Sequence, residues 1–292
     1  MEHPLETGSI ADCVAAFRKT KNPLLLVKAL FLTIRQGRFA ELINGVYCSL
    51  FFKPSDVKET VDSGLVQSLV NEVNSLTEKR FFTRDILLED FGDEFYIQGL
   101  PQDFSGCRTE SFVRIGNLLI IGEYRLVKDS ATIAVITEKD CIINDFYNDI
   151  PTVRHIHSIH KYTPSEILIS TGDNSKYTDL WTVDGTELRF KKRIKKRLAG
   201  YTGCAEVNNT HYFGTDFSGR PNYIETLKGR RYFFPSKAYK MYVSNFFPLS
   251  NRYIASINTE LPVLGGREAL SIFDTVEEQF IYCEYFESID NV

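Results

Sequence analysis

The six cysteines of this chain, at positions 13, 48, 107, 141, 204 and 283, include no Cys-x-x-Cys pair. That spacing is what a structural zinc site of the common kind requires, so none is implied. The N-terminus has no basic start followed by an apolar stretch, which excludes a secretory signal and leads us to expect reduced thiols in a cytoplasmic protein. Positive charge is not in excess: the formal net charge is -4, which argues against a nucleic-acid partner. No phosphate-cradling glycine loop is present, because Leu264-Gly265-Gly266-Arg267 reads as a hairpin turn. The most apolar run, Leu24 to Ile34, contains Lys28 and is too short to span a bilayer.

What is present is a recurring unit. It reads Asn117 to Tyr124 (NLLIIGEY), Glu166 to Asp173 (EILISTGD), Thr210 to Asp216 (THYFGTD) and Arg252 to Asn258 (RYIASIN). Aligned on their last residues, the copies lie 49, 43 and 42 positions apart. Each is followed by a second β-rich run: Thr132 to Thr137, Asp179 to Val183, Asn222 to Thr226, and Ala269 to Phe273. A period of about forty to fifty residues with several strands in each is the signature of a β-propeller. The 22 Phe and 15 Tyr suit packing between sheets.

The expected order within a repeat is visible around residue 170. His155 to His160 is an inner strand, Ile167 to Ser170 the second, Leu180 to Val183 the third and Leu188 to Ile194 the outer one. Phe82 to Leu88 and Glu94 to Gly99 read as an incomplete first blade, which makes five. The fold class expected is therefore mainly β, a five-bladed propeller over residues 77–292 with an N-terminal α-helical extension over 1–76. Helices are expected at Ile10 to Thr20, Pro23 to Ile43 and about Val57 to Leu76, the second opened by an Asn22 cap with proline at its first position. Arg18, Lys19, Lys21, Lys28, Arg35 and Arg38 surround the second helix. It is expected to dock on the β-domain or a protein partner, with attachment to a membrane surface as the alternative.

Thr182-Val183-Asp184-Gly185-Thr186-Glu187-Leu188 resembles the Asp box of sialidase-like propellers. With Gly122 to Tyr124, His155 to His157, Thr171 to Asp173 and Gly214 to Asp216, residues 105 to 290 resemble bacterial, polysaccharide-associated members of that family. The resemblance implies a carbohydrate-related role. The histidines are also similar to an arrangement that the oligogalacturonate lyase family would imply.

Two chemistries follow. Glu123, Asp173 and Asp216, each after a second strand, offer an acid pair for glycosidic cleavage, with His155 as a further catalytic candidate. Tyr124 and Tyr177 would stack on sugar rings while Arg125, Arg154 and Arg220 hold acidic substituents. Alternatively, His155, His157 and His211 would hold a divalent metal that promotes elimination. The bland readings are hydrogen-bonded channel histidines, and turn-capping for Asp173. The expected function is a carbohydrate-active propeller that hydrolyses or eliminates at a glycosidic bond of a polysaccharide or sugar ligand. A non-enzymatic scaffold for protein or glycan binding, or a glycosyltransferase, is the alternative. The basic run Phe190 to Leu198 reads as a solvated outer edge.

Overall fold

In a computed structural model, the described residues are 20–35, 50–59, 61–76, 81–125, 130–149, 153–172, 176–196, 200–217, 221–260 and 266–286, together with Cys13 and Ala16. Eighteen strands and three α-helices are named below in chain order. The helices are α1 (Pro23–Arg35), α2 (Ser63–Leu76) and α3 (Arg84–Phe91), and a two-stranded ladder pairs β1 (Phe81–Phe82) with β2 (Cys107–Arg108).

Four antiparallel, four-stranded sheets follow. The first blade is β3 (Phe112–Ile115), β4 (Leu118–Gly122), β5 (Ile133–Ile136) and β6 (Cys141–Asn144). The second is β7 (His155–Thr163), β8 (Glu166–Gly172), β9 (Tyr177–Asp184) and β10 (Glu187–Lys196). The third is β11 (Tyr201–Val207), β12 (Thr210–Thr215), β13 (Tyr223–Thr226) and β14 (Arg231–Phe233). The fourth is β15 (Tyr242–Pro248), β16 (Tyr253–Thr259), β17 (Glu268–Asp274) and β18 (Gln279–Phe286). Strands within each blade pair in sequence order, the meander of a propeller blade. The recurring sequence unit is the second strand of every blade, β4, β8, β12 and β16.

The register refines the alignment of those units. Thr171, Thr215 and Asn258 stand opposite Ile156, Tyr201 and Val243, and a bulge follows on each inner strand at His157, Thr202 and Ser244. Asn258 is therefore equivalent to Thr215, one residue before Asp216. Glycine in β4 and β12 lets the next blade approach. A Cβ on Gly122 would lie 2.3 Å from Ile156 Cγ2, and one on Gly214 would lie 2.7 Å from Val243 Cγ1. Apolar residues of adjacent blades then interlock: Ile120 and Val135 with Ile156 and Trp181, and Ala205 and Ile224 with Val243 and Phe273.

The number of blades is four, not five. The stretch expected to be a partial blade forms helix α3, because Thr83 caps it by accepting from the Ile86 N–H at 3.4 Å and Asp85 sits in its first turn. A 3₁₀ turn at Ile97–Gly99 follows. Leu87, Phe95, Ile97 and Phe104 from this segment bury the outer face of the first blade, against Leu119, Ile121, Ala134 and Ile136. On the opposite flank, Leu69 and Val73 of α2 bury the outer face of the fourth blade, against Phe247, Ala255, Ile257 and Ile272. Neither cluster contains a residue of the other blade. The seam between first and fourth blades is thus lined by helical segments where further strands were expected. Helix α2 starts at Ser63, later than expected, because Val57 instead forms a parallel bridge with Phe280 and Ser55 one with Pro235. Of the expected helix over residues 10–20, Cys13, Ala16 and Thr20 are described and helical; its other residues and the end of the Pro23–Ile43 helix lie outside the described residues.

One carboxylate reaches across the seam. Glu110, just before β3, accepts from Asn245 Nδ2 at 2.9 Å and from the Phe246 N–H at 3.3 Å, with Arg108 Nε 3.7 Å away. Its side chain is only 7% exposed. We expect Glu110→Ala to leave these donors without their acceptor and cost about 1–3 kcal/mol in urea unfolding. Amide exchange should quicken at Phe246, and unchanged protection there would show that Glu110 does not hold the seam.

Candidate functional site

The inner strands β7 and β11 start at one end of the ring and run to the other, and β12 returns antiparallel. This direction sorts the candidate residues into two groups. At the end where β7 begins lie Glu123, Tyr124, Arg125, Arg154, His155 and His157, with Lys176 and Asp216 at the neighbouring blade boundary. At the end where β11 turns into β12 lie His160, Glu206 and His211.

Glu123 is fully buried. Arg125 Nε donates to Glu123 Oε2 at 2.5 Å and Thr132 Oγ1 to the same oxygen at 2.6 Å, while the Ser105 N–H donates to Oε1 at 3.0 Å. Three donors, one of them a guanidinium, offset the cost of burying this charge. Both oxygens and the Arg125 guanidinium are engaged inside the protein. Tyr124 stacks on His155, with ring centroids 3.8 Å apart, and lies 5.8 Å from His157. The Arg108 guanidinium is 5.9 Å from the Tyr124 ring. His157 Nδ1 lies 3.3 Å from the Tyr201 carbonyl oxygen on the next blade. Arg154 is half-buried and its carbonyl accepts from the Arg125 N–H.

Asp216 is held by Lys176, whose ammonium lies 3.5 Å from Oδ2 and donates to the Asp216 carbonyl at 3.1 Å. Tyr177 carries the Arg193 guanidinium 3.3 Å from its ring centroid. Arg193 in turn makes a two-pronged contact with buried Asp179, to which Tyr147 also donates at 3.1 Å. The third blade repeats this arrangement with Glu225, Arg231 and Tyr201. The basic run is accordingly divided: Lys191 and Lys192 are exposed, and Arg193 points inward. Asp173 and Arg220 lie outside the described residues.

The expected metal set His155, His157 and His211 is not brought together. His211 pairs across the β11–β12 hairpin with Glu206, at the far end from His155. The reason is the antiparallel return: a residue at the start of a second strand lies beside the end of an inner one. His211 meets His160 of the second blade instead, with rings 5.2 Å apart and nearly perpendicular, and Tyr162 lies 5.0 Å away. One ligand atom from each of His160, Glu206 and His211 lies within 4.8 Å of the others, and His160 Nε2 is 3.8 Å from Glu206 Oε2. Burial, reinforced by His211, holds the His160 imidazole down to about 4. Burial also lowers His211, against the opposing pull of Glu206. Sequence reasoning passed over Glu206 and placed His160 only in the channel. The available signal was Asn208-Asn209, which has positive φ at both positions and forms a two-residue hairpin turn that sets Glu206 opposite His211.

No family model matches this sequence, and no curated protein sequence matches it either. Among solved structures, a Mycobacterium tuberculosis puromycin-hydrolyzing peptidase is similar with a TM-score of 0.40 at 9% identity, over 64% of this chain and 31% of that one. A eukaryotic initiation factor gives 0.34 at 11% identity, over 62% of this chain and 45% of that one. The chain spans less than half the length of either. The propeller-like architecture rests on the strand pairing described above.

The Glu123 cluster yields a direct test. Arg125→Met should strand a fully buried carboxylate and cost about 3–5 kcal/mol, whereas Glu123→Gln should be milder because the guanidinium it leaves is 10% exposed and Glu123 is 0% exposed. Urea denaturation of both variants reads this order, and the reverse order would show that Glu123 is not held by Arg125.

Proposed function

We propose that this chain is a non-catalytic, propeller-like binding module that docks a protein partner through its N-terminal helix α1. The observation that carries this reading is where the exposed apolar surface lies. Leu24, Leu26, Val27, Leu30 and Phe31 are 42–72% exposed on α1. At 100° per residue they span about 160° of the helix circumference, with no charge among them. Ala29, on the opposite face, is buried. A helix apolar on both faces belongs between two protein surfaces. A helix lying on a membrane would instead turn a polar face to water. Its 13 residues span about 20 Å, and no helix among the described residues is long and apolar enough to cross a membrane.

The carboxylates support the non-catalytic half. Cleavage of a glycosidic bond needs a proton donor and a second carboxylate facing the sugar. Glu123 is fully buried under three donors and Asp216 is paired with Lys176. Tyr124 and Tyr177, the stacking candidates, are occupied by His155 and Arg193. Hydrolysis, elimination and glycosyl transfer therefore have weaker support than binding.

The test places a photo-crosslinking amino acid at Phe31 and, as a control, at Val276, an apolar side chain 61% exposed on a fourth-blade turn. In cells that make this protein, position 31 should form a discrete protein adduct that Val27→Glu abolishes, and position 276 should not. Lipid adducts at position 31, or the same pattern at both sites, would overturn protein docking. Incubation with acidic and neutral glycans should release neither reducing ends nor unsaturated uronate. Turnover that disappears in Glu123→Gln would overturn the non-catalytic reading.

A further inference from the structure

We infer that His160, Glu206 and His211 form a binding site for a divalent transition ion of the zinc type, clasping the second blade to the third. The geometry points to this ion class. Two imidazole nitrogens and one carboxylate oxygen match the donor preferences of zinc, and hard oxygen-seeking ions such as calcium are poorly served by such a set. The three ligand atoms already lie within 4.8 Å of one another. At zinc bond lengths of about 2.0–2.1 Å, tetrahedral ligands sit about 3.3 Å apart, so the required contraction is small. Glu206 can supply it, because its side chain is exposed and carries several rotatable bonds.

A second observation concerns the imidazoles themselves. His160 Nε2 and His211 Nε2 are both buried, and neither has a hydrogen-bond partner among the described residues. A buried polar atom left in this state costs free energy unless something occupies its lone pair. Coordination would satisfy both nitrogens at once. The backbone also presets the site: the Asn208–Asn209 turn fixes Glu206 opposite His211, and β7 brings His160 against β11. The ligands come from two blades, so an ion here resists their separation. Three protein ligands leave a fourth position for water.

The experiment uses the full chain without any histidine tag, stripped with a chelator. Zinc chloride is titrated at neutral pH by calorimetry while the thermal unfolding midpoint is followed in parallel. We expect one equivalent to bind and the midpoint to rise, as for any ligand that prefers the folded state. Cobalt(II) in place of zinc should give the intense visible absorption of a four-coordinate site. His160→Asn and Glu206→Gln should each weaken zinc binding by about tenfold or more. Glu206→Gln alters an exposed side chain, so it keeps the test decisive if a histidine variant fails to fold. Absence of stoichiometric binding would overturn the site, as would binding that survives both substitutions and is lost in His155→Asn.

Discussion

The constraint on which this structure depends is the seam where the fourth blade faces the first. Where the last blade does not pack directly on the first, two outer faces remain, and each presents a row of apolar side chains to be covered. Here Ile121 and Ile136 on one flank and Ile257 and Ile272 on the other are covered by helical segments from the N-terminal third of the chain. The Glu110 carboxylate then links the inner edge of the fourth blade to the start of the first. Residues 61–76 and 81–110 are therefore part of what makes the ring a folded unit. Four blades suffice because α2 and the α3 segment occupy the flanks that a fifth blade would have met.

Between blades, the chain uses two devices with opposite chemistry. Glycine at 122 and 214 removes the side chain where a neighbouring inner strand passes, which permits close apolar packing. Buried acids at 179 and 225 do the reverse: each draws an arginine from the fourth strand and a tyrosine hydroxyl into the sheet. Such pairs are costly to bury but costlier to break. In the fourth blade the equivalent positions are Ser271 and Cys283, whose side chains contact each other at 3.4 Å. That blade relies on apolar contact with α2 and on the pair of partly exposed Arg252 with buried Asp274.

The two ends of the ring consequently differ. At the end holding Glu123, charge is neutralised internally, and the aromatic and imidazole rings pack on one another. At the other end, two buried imidazole nitrogens and an exposed carboxylate converge, and no hydrogen-bond partner among the described residues reaches the nitrogens. The chemistry of the first end favours rigidity, and that of the second favours capture of an ion. Helix α1 carries an exposed apolar face of its own, with Leu24, Val27 and Phe31 more than half exposed.

Local sequence was enough to find the second and third strands of every blade, because alternation and apolar runs such as Leu118 to Ile121 reflect contacts within one sheet. It also located the start of α1, since Asn22 Oδ1 accepts from the Leu24 N–H and Pro23 needs no partner. The segment from Phe82 to Leu88 reads as a strand in the sequence because seven largely apolar or charged residues suit a short strand and a capped helix alike. Only its packing against Leu119 and Ile121 selects the helix. The acids and histidines were legible as candidates, but their partners were not. Glu123 is tied to Ser105, Arg125 and Thr132, and His211 to Glu206 and His160, through strand direction and register. Those relations belong to the tertiary structure because antiparallel pairing decides which end of the ring a residue reaches, and spacing along the chain carries no such direction.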